Sequence, residues 1–170
     1  MLVVMAGLPG AGKSAVADVL GRELPAAVLS VDPIEAAMLR AGVSRDQPTG
    51  LAAYLVVEAV ADGVLASGRP VVVDAVNAVE VARRQWRELA LRHDVPVAFV
   101  EVVCSDPVVH RRRLEGRSRG IEGFDEPTWA AVQRLRGEYA PWSGRRLVLD
   151  SMNDLRANVA RALEFLPNPR

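Results

Sequence analysis

Cysteine is almost absent from the 170-residue chain, which has Cys104 alone. A lone thiol can form neither an intrachain disulfide framework nor a cysteine-based zinc site, and it fits a reducing compartment, so the expected location is cytoplasmic. Histidine is nearly as scarce: His93 and His110 are too isolated for a metal site, and no Ser-His-Asp set is evident. Among 21 Lys+Arg residues only Lys13 is a lysine. A GC-rich coding bias accounts for the arginine excess, and the surviving ammonium suggests a position that a planar guanidinium would not fit. Net charge is missing as well, since 21 Asp+Glu bring it to +0. That argues against a surface generally attracted to nucleic acid or anionic membrane, while local patches remain open. No apolar run approaches the roughly eighteen residues of a membrane span, and Met1-Leu2-Val3-Val4-Met5-Ala6 is too short, and lacks the basic flank, for a signal peptide.

What is present is a chain 50% hydrophobic and 25% charged, read as one domain over residues 1–170. Apolar runs alternate with amphipathic stretches, the pattern of an α/β fold whose parallel sheet is covered on both faces. Strands are expected at 2–6, 26–30, 71–74, 97–103 and 147–149. Helices are expected at 13–24, from Asp32-Pro33 to 40, at 51–67, at 79–91, from Asp106-Pro107 through the arginine-rich stretch, from Pro127 to 138, and at 154–166. In this reading Asp32 caps its helix.

Gly7-Leu8-Pro9-Gly10-Ala11-Gly12-Lys13-Ser14 is a full match to the phosphate-loop pattern G-x-x-x-x-G-K-[ST], with an apolar strand running in and a helix running out. The glycines let successive backbone N–H groups converge, and the helix adds its positive end, giving a nest for phosphate. Lys13 is placed to bridge the β- and γ-phosphates and Ser14 to ligate Mg²⁺. The expected cofactors are therefore ATP and Mg²⁺. Gly7 to Ser14 and Ala15 form the nucleotide-binding set, joined by Arg113 and, on the adenine side, by Asn153 in Ser151-Met152-Asn153-Asp154. The last four residues equally suit a helix cap.

Two carboxylates fall at strand ends on the carboxyl edge, where ligands of open parallel sheets sit. Asp32 follows the second strand and is either a helix cap or a base toward an acceptor hydroxyl, and the two roles can coexist. Asp74 closes the third strand and is either a solvated sheet-end carboxylate or part of the Mg²⁺ shell. His110-Arg111-Arg112-Arg113-Leu114-Glu115-Gly116-Arg117-Ser118-Arg119-Gly120 places Arg113 and Arg117 on one helix face, as a lid acting on transition-state charge would. A solvated face and a nucleic-acid strip are the alternatives. Trp129, Tyr139 and Trp142 read as core packing.

The phosphate loop, Ser30-Val31-Asp32, Gly68-Arg69-Pro70-Val71-Val72-Val73-Asp74-Ala75-Val76-Asn77 and Cys104-Ser105-Asp106-Pro107 followed by Arg113 and Arg117 together resemble the small P-loop kinases labelled AAA-family ATPases. Polynucleotide, gluconate and shikimate kinases and zeta-toxin-like enzymes are relatives. Val31 to Met38, and Val73-Asp74 followed by Arg84-Gln85-Trp86-Arg87, are most similar in texture to chloramphenicol phosphotransferase. The resemblance spans about residues 1–120. It implies a three-layer P-loop fold with a five-stranded parallel sheet of order 2-3-1-4-5, an arginine lid at about 108–126, and Asp32 as general base. Polynucleotide kinases usually carry an arginine about three residues after that aspartate, where this chain has Glu35. The expected activity is ATP-dependent phosphoryl transfer to a hydroxyl of a small molecule such as an antibiotic or other natural product, with Lys13, Asp32, Arg113 and Arg117 catalytic. The alternatives are a 5′-hydroxyl polynucleotide or nucleoside kinase and an ATP-binding switch. Asp32, Met38, Arg40, Arg45, Tyr54 and Asn77 are the expected acceptor contacts. Nucleic-acid and membrane partners are not expected, and the oligomeric state is left open.

Overall fold

The computed structural model describes residues 1–117 and 126–167. Its centre is β1, Leu2–Ala6, buried along its whole length. It pairs in parallel with β3, Val71–Asp74, on one side and β4, Val97–Val103, on the other, with Leu2 opposite both Val71 and Val97. β2, Ala27–Ser30, joins β3, and β5, Leu147–Asp150, joins β4, giving the parallel order β2-β3-β1-β4-β5. This is the order implied by the resemblance.

The central strands read as unbroken apolar runs because helices cover both faces. Successive side chains alternate between two cores. Val3, Met5, Val100 and Val102 pack with Val16, Ala17 and Leu20 of α1, Lys13–Glu23, and with Val159 and Ala162 of the terminal helix at Leu155–Phe165. Leu2, Val4, Val73 and Phe99 face the other way. Val31 of α2, Val31–Arg40, Ala53, Val57 and Ala61 of α3, Thr49–Ala66, and Trp86 and Leu89 of α4, Glu80–Arg92, cover them. Burial at every fourth residue is what sets α3 against the sheet.

Some local boundaries differ from expectation and others hold. α2 begins at Val31 with Ser30 at its cap position, so Asp32 lies inside the first turn and is not the cap. The arginine-rich helix is α5, Pro107–Gly116, capped by Asp106, whose carboxylate accepts from the Val108 and Val109 amides at 2.8 and 3.1 Å. Of the expected lid, residues 118–125 lie outside the described residues; α6, Trp129–Gly137, opens at a Thr128 cap rather than at Pro127. The final helix, α7, Leu155–Phe165, has Asp154 as its cap. By length and composition α3 does reach the size of a membrane span, at mean hydropathy 1.5. Glu58 and Asp62 interrupt it and pair with Arg92 at the end of α4 and with His93, its C-cap.

Candidate active site

The loop between β1 and α1 is shaped by three glycines with positive φ: Gly7 at 128°, Gly10 at 81° and Gly12 at 99°. This left-handed region is nearly free of cost only without a Cβ. At Gly7 a Cβ would also lie 2.1 Å from the Val102 carbonyl oxygen, so the loop's start is pressed against β4. Lys13 is largely buried, and its ammonium donates to the Leu8 carbonyl at 3.2 Å.

A cleft of about 270 Å³ opens at the carboxyl edge, and its lining includes Lys13, Ser14, Ser30, Asp32, Asp74 and Arg117. The strand order produces this gathering, because β2, β3 and β1 end side by side: Ser30 and Asp74 close β2 and β3, Asp32 follows β2, and the loop that leads to Lys13 and Ser14 follows β1. Ser14 Oγ donates to Asp74 Oδ2 at 2.6 Å, and Ser30 Oγ lies 3.4 Å from the same oxygen. Asp74 is 8% exposed, and its Oδ1 is buried with no hydrogen-bond partner among the described residues. A buried carboxylate oxygen left without a donor carries a desolvation cost that a cation would remove. One carboxylate and one hydroxyl beside a phosphate loop are the small protein donor set that Mg²⁺ uses, the remaining positions going to water and phosphate. The residues therefore fit Mg²⁺.

The two arginines expected to act together face different cavities. Arg117 lines the cleft and pairs with Glu126 at 2.8 Å. Arg113 turns toward the loop after β5, where its guanidinium donates to Ser151 Oγ at 2.8 Å and the Ser151 carbonyl at 3.3 Å. There it joins Gly12, Ala15, Asn153 and Asn158 around a second cavity of about 250 Å³. Asn158, which sequence reasoning missed, is buried and donates from Nδ2 to the Asp150 carbonyl at 2.8 Å.

The expected acceptor contacts are mostly elsewhere. Met38 packs against the core, and Arg40 and Arg45 are exposed at and after the end of α2. Asn77 is fully buried, not open to a substrate. At φ 49° it turns its side chain inward, donating from Nδ2 to the Met5 carbonyl at 2.7 Å and accepting from Trp86 Nε1 at 2.8 Å. Tyr54 braces the same turn, its hydroxyl oxygen accepting from the Asn77 amide at 3.0 Å. Burial pushes the Tyr54 phenol up to about 12, and the carboxylates of Asp32 and Asp74 add to that rise. The tyrosine is thus close enough to the cleft's carboxylates to feel their charge but does not line the cleft, whose walls include Ser30, Pro33, Ala75 and Val76.

Arg83 has no counterpart in the sequence reading. Fully buried, it donates to the Asn77, Ala78, Ala140 and Pro141 carbonyls at 2.9–3.1 Å and lies 3.8 Å from the Trp142 ring centroid. It ties the turn after β3 to the segment after α6. Val76 of that turn in turn accepts from the Gly7 amide at 3.1 Å.

A family model described as an AAA domain matches residues 2–141. Among solved structures, the chain is similar to a protein of provisional kinase assignment from Chloroflexus aurantiacus, with 21% identity over 98% of each chain and TM-score 0.78. It is also similar to a gluconokinase from Sinorhizobium meliloti, at 22% identity over 95% of this chain and 89% of that one, TM-score 0.66. The APS kinase of Mycobacterium tuberculosis, solved with AMPPNP and APS, is 21% identical over 96% of this chain and 95% of its own, TM-score 0.67. No curated protein matches the sequence. The fold is that of the P-loop kinases.

Proposed function

Because the chain belongs to the AAA domain family, we propose that it is an ATP-dependent phosphotransferase that moves the γ-phosphate of ATP to a hydroxyl of a small molecule. The observation that carries this reading is the convergence of Lys13, Ser14, Asp32, Asp74 and Arg117 on one cleft of about 270 Å³. The similar gluconokinase and APS kinase folds support a small acceptor. The sequence resemblance to chloramphenicol phosphotransferase adds an antibiotic or other natural product as the acceptor class, and lone Cys104 fits a cytoplasmic location.

In this mechanism the loop amides and Lys13 hold the β- and γ-phosphates. Ser14 and Asp74 would hold Mg²⁺, which when bound would neutralise charge on the phosphate oxygens. The acceptor oxygen forms a bond to the γ-phosphorus as the bond from that phosphorus to the β–γ bridging oxygen breaks, releasing ADP. Asp32 orients the acceptor O–H and takes its proton. Arg117 offsets charge on the transferred group, while Arg113 and Asn153 border the nucleoside.

The test is transfer of labelled γ-phosphate from ATP to panels of hydroxylated small molecules, nucleosides and 5′-hydroxyl oligonucleotides, with Lys13→Ala as the control. A phosphorylated small molecule made by wild type and not by the variant supports the reading. Product on oligonucleotides alone would transfer it to a polynucleotide kinase, and ATP binding with no acceptor product in any panel would leave a nucleotide-dependent switch.

A further inference from the structure

α5 turns one stripe toward the phosphate loop: His110, Arg113 and Leu114 share a helix face, and Arg117 follows at the helix's C-cap. The two arginines diverge to the two cavities, but His110 and Leu114, which share the stripe, are each buried at 2% exposed. Both press on the loop's crest. A Cβ placed on Gly10 would lie 3.1 Å from Leu114 Cβ and 3.3 Å from His110 Cδ2.

His110 also makes a directed contact. Its Nε2 lies 2.8 Å from the Pro9 carbonyl oxygen, and its Nδ1 lies 3.3 Å from Arg136 Nη2. A carbonyl can only accept and a guanidinium can only donate, so the ring must be the neutral tautomer with hydrogen on Nε2. Trp129 fixes the ring's plane by an edge-to-face contact, centroids 5.3 Å apart at 84°.

We propose that His110 is a positioning residue for triphosphate binding, holding the Pro9 carbonyl outward so that the next amide faces the phosphate. The peptide unit is planar and trans, so a carbonyl fixed toward α5 fixes the Gly10 N–H on the opposite side. Pro9 has no N–H of its own, and with φ of 81° at Gly10 the crest has no side chain to hold it. The neighbouring Leu8 carbonyl is already retained, accepting from the Ala11 amide at 3.1 Å and from Lys13 at 3.2 Å. His110 supplies the corresponding restraint for Pro9. Without it the 9–10 peptide is free to turn, and an inward carbonyl would oppose an anion that an inward amide attracts. Because His110 is on the helix that carries Arg113 and leads into Arg117 at its C-cap, the same bond helps to set where both arginines stand relative to the loop.

This inference rests on nucleotide binding at the loop, and its test separates the two. His110→Phe keeps the ring's bulk and its contact with Trp129 but has no donor, while His110→Gln restores an N–H donor at similar reach. Affinities for AMPPNP and for adenosine are measured by calorimetry in wild type and both variants, with melting temperatures as a check on folding. The expected result is that His110→Phe weakens AMPPNP about ten- to a hundredfold while adenosine stays within about twofold, and that His110→Gln recovers most of the loss. Equal AMPPNP affinity in folded His110→Phe and wild type overturns the proposal but leaves phosphate-loop binding intact. Equal losses for adenosine and AMPPNP, or no recovery in folded His110→Gln, also overturn it, because a packing role would produce them. If His110→Phe does not fold, His110→Leu takes its place with the same criteria. Wild type that fails to bind AMPPNP overturns both this inference and the proposed function.

Discussion

Ser14 and Asp74 stand 60 positions apart in sequence, yet the serine hydroxyl donates to the aspartate Oδ2 at 2.6 Å. The bond joins the first turn of α1 to the end of β3, and it leaves Asp74 Oδ1 buried without a donor among the described residues. Asp74→Asn keeps the shape and removes the charge a divalent cation needs. Mg²⁺-dependent nucleotide affinity should fall about ten- to a hundredfold, with Mg²⁺-free affinity changing little. Calorimetry with and without Mg²⁺ measures this, and equal losses in both conditions would remove Asp74 from the metal shell.

Arg113 and Arg117 should separate in steady-state kinetics. Arg117→Ala is expected to lower kcat about 10²-fold with little change in nucleotide affinity, because its guanidinium faces the cleft where charge develops. Arg113→Ala is expected to raise the KM for ATP more than it lowers kcat, since its partner Ser151 belongs to the second cavity. Matching kcat losses in the two variants would restore the two-arginine lid suggested by their shared helix face.

How much of this was legible in sequence depended on the range of the contacts involved. The phosphate loop is eight consecutive residues, and the strands that position Asp32 and Asp74 are short apolar runs with clear ends, so the cleft's floor could be read directly. Asn77's position after Asp74 suits a substrate contact, whereas the inward turn seen in the structure depends on Met5 and Trp86, which local sequence does not reveal. Arg83 belongs to a helix rich in exposed arginines, and the carbonyls of Ala140 and Pro141 that bury it lie 57 and 58 residues away. His110 looked isolated for the same reason, its partner Pro9 being 101 residues distant. Local spacing carries no trace of such pairs.

Asn77→Ala should therefore act on stability, not on the acceptor. It strands the Trp86 indole N–H and the Met5 carbonyl in the core, and it leaves a non-glycine residue at φ 49° without the local hydrogen bonding that suits asparagine to that region. A loss of about 2–4 kcal/mol is expected in urea denaturation. An unchanged midpoint with a raised acceptor KM would return Asn77 to the substrate pocket.

His110 gives a pH dependence of stability. Burial holds its imidazole below the usual histidine range, and the facing cations Arg136, Lys13 and Arg113 push the same way against the bond to Pro9. In the unfolded chain the ring takes up a proton near pH 6.5, whereas the folded ring resists it. The unfolded state then binds more protons, so stability falls as pH drops below about 6.5 and continues to fall until the folded ring also titrates. Wild type should lose melting temperature between pH 7.5 and 5.5 more steeply than His110→Gln, which cannot titrate. Parallel slopes would mean that the ring is as easily protonated folded as unfolded.

Asp32 is the position where the structure changes the meaning of the test. As a helix cap it would tie a substitution such as alanine, though not asparagine, to a loss of stability; Ser30 occupies the cap position, and Asp32 lies in the first turn of α2 with the cleft beside it. An alcohol is a weak nucleophile at neutral pH, and the acceptor proton must be given up on transfer, so a cleft carboxylate that faces the acceptor would be worth far more to the rate than to the fold. Asp32→Asn retains the volume and the orienting oxygen and removes the proton acceptor. One structural cost expected is the lost favourable interaction of a first-turn carboxylate with the helix's positive end, about 0.3–1 kcal/mol. Turnover should fall about 10²- to 10⁴-fold, with nucleotide affinity within about twofold of wild type and a melting temperature lowered by no more than a few degrees. Single-turnover measurements at saturating ATP and acceptor isolate the transfer step. A variant that keeps wild-type turnover per folded molecule would mean the proton leaves by another route, through water or the γ-phosphate oxygens, and Asp32 would then be only a wall of the acceptor site.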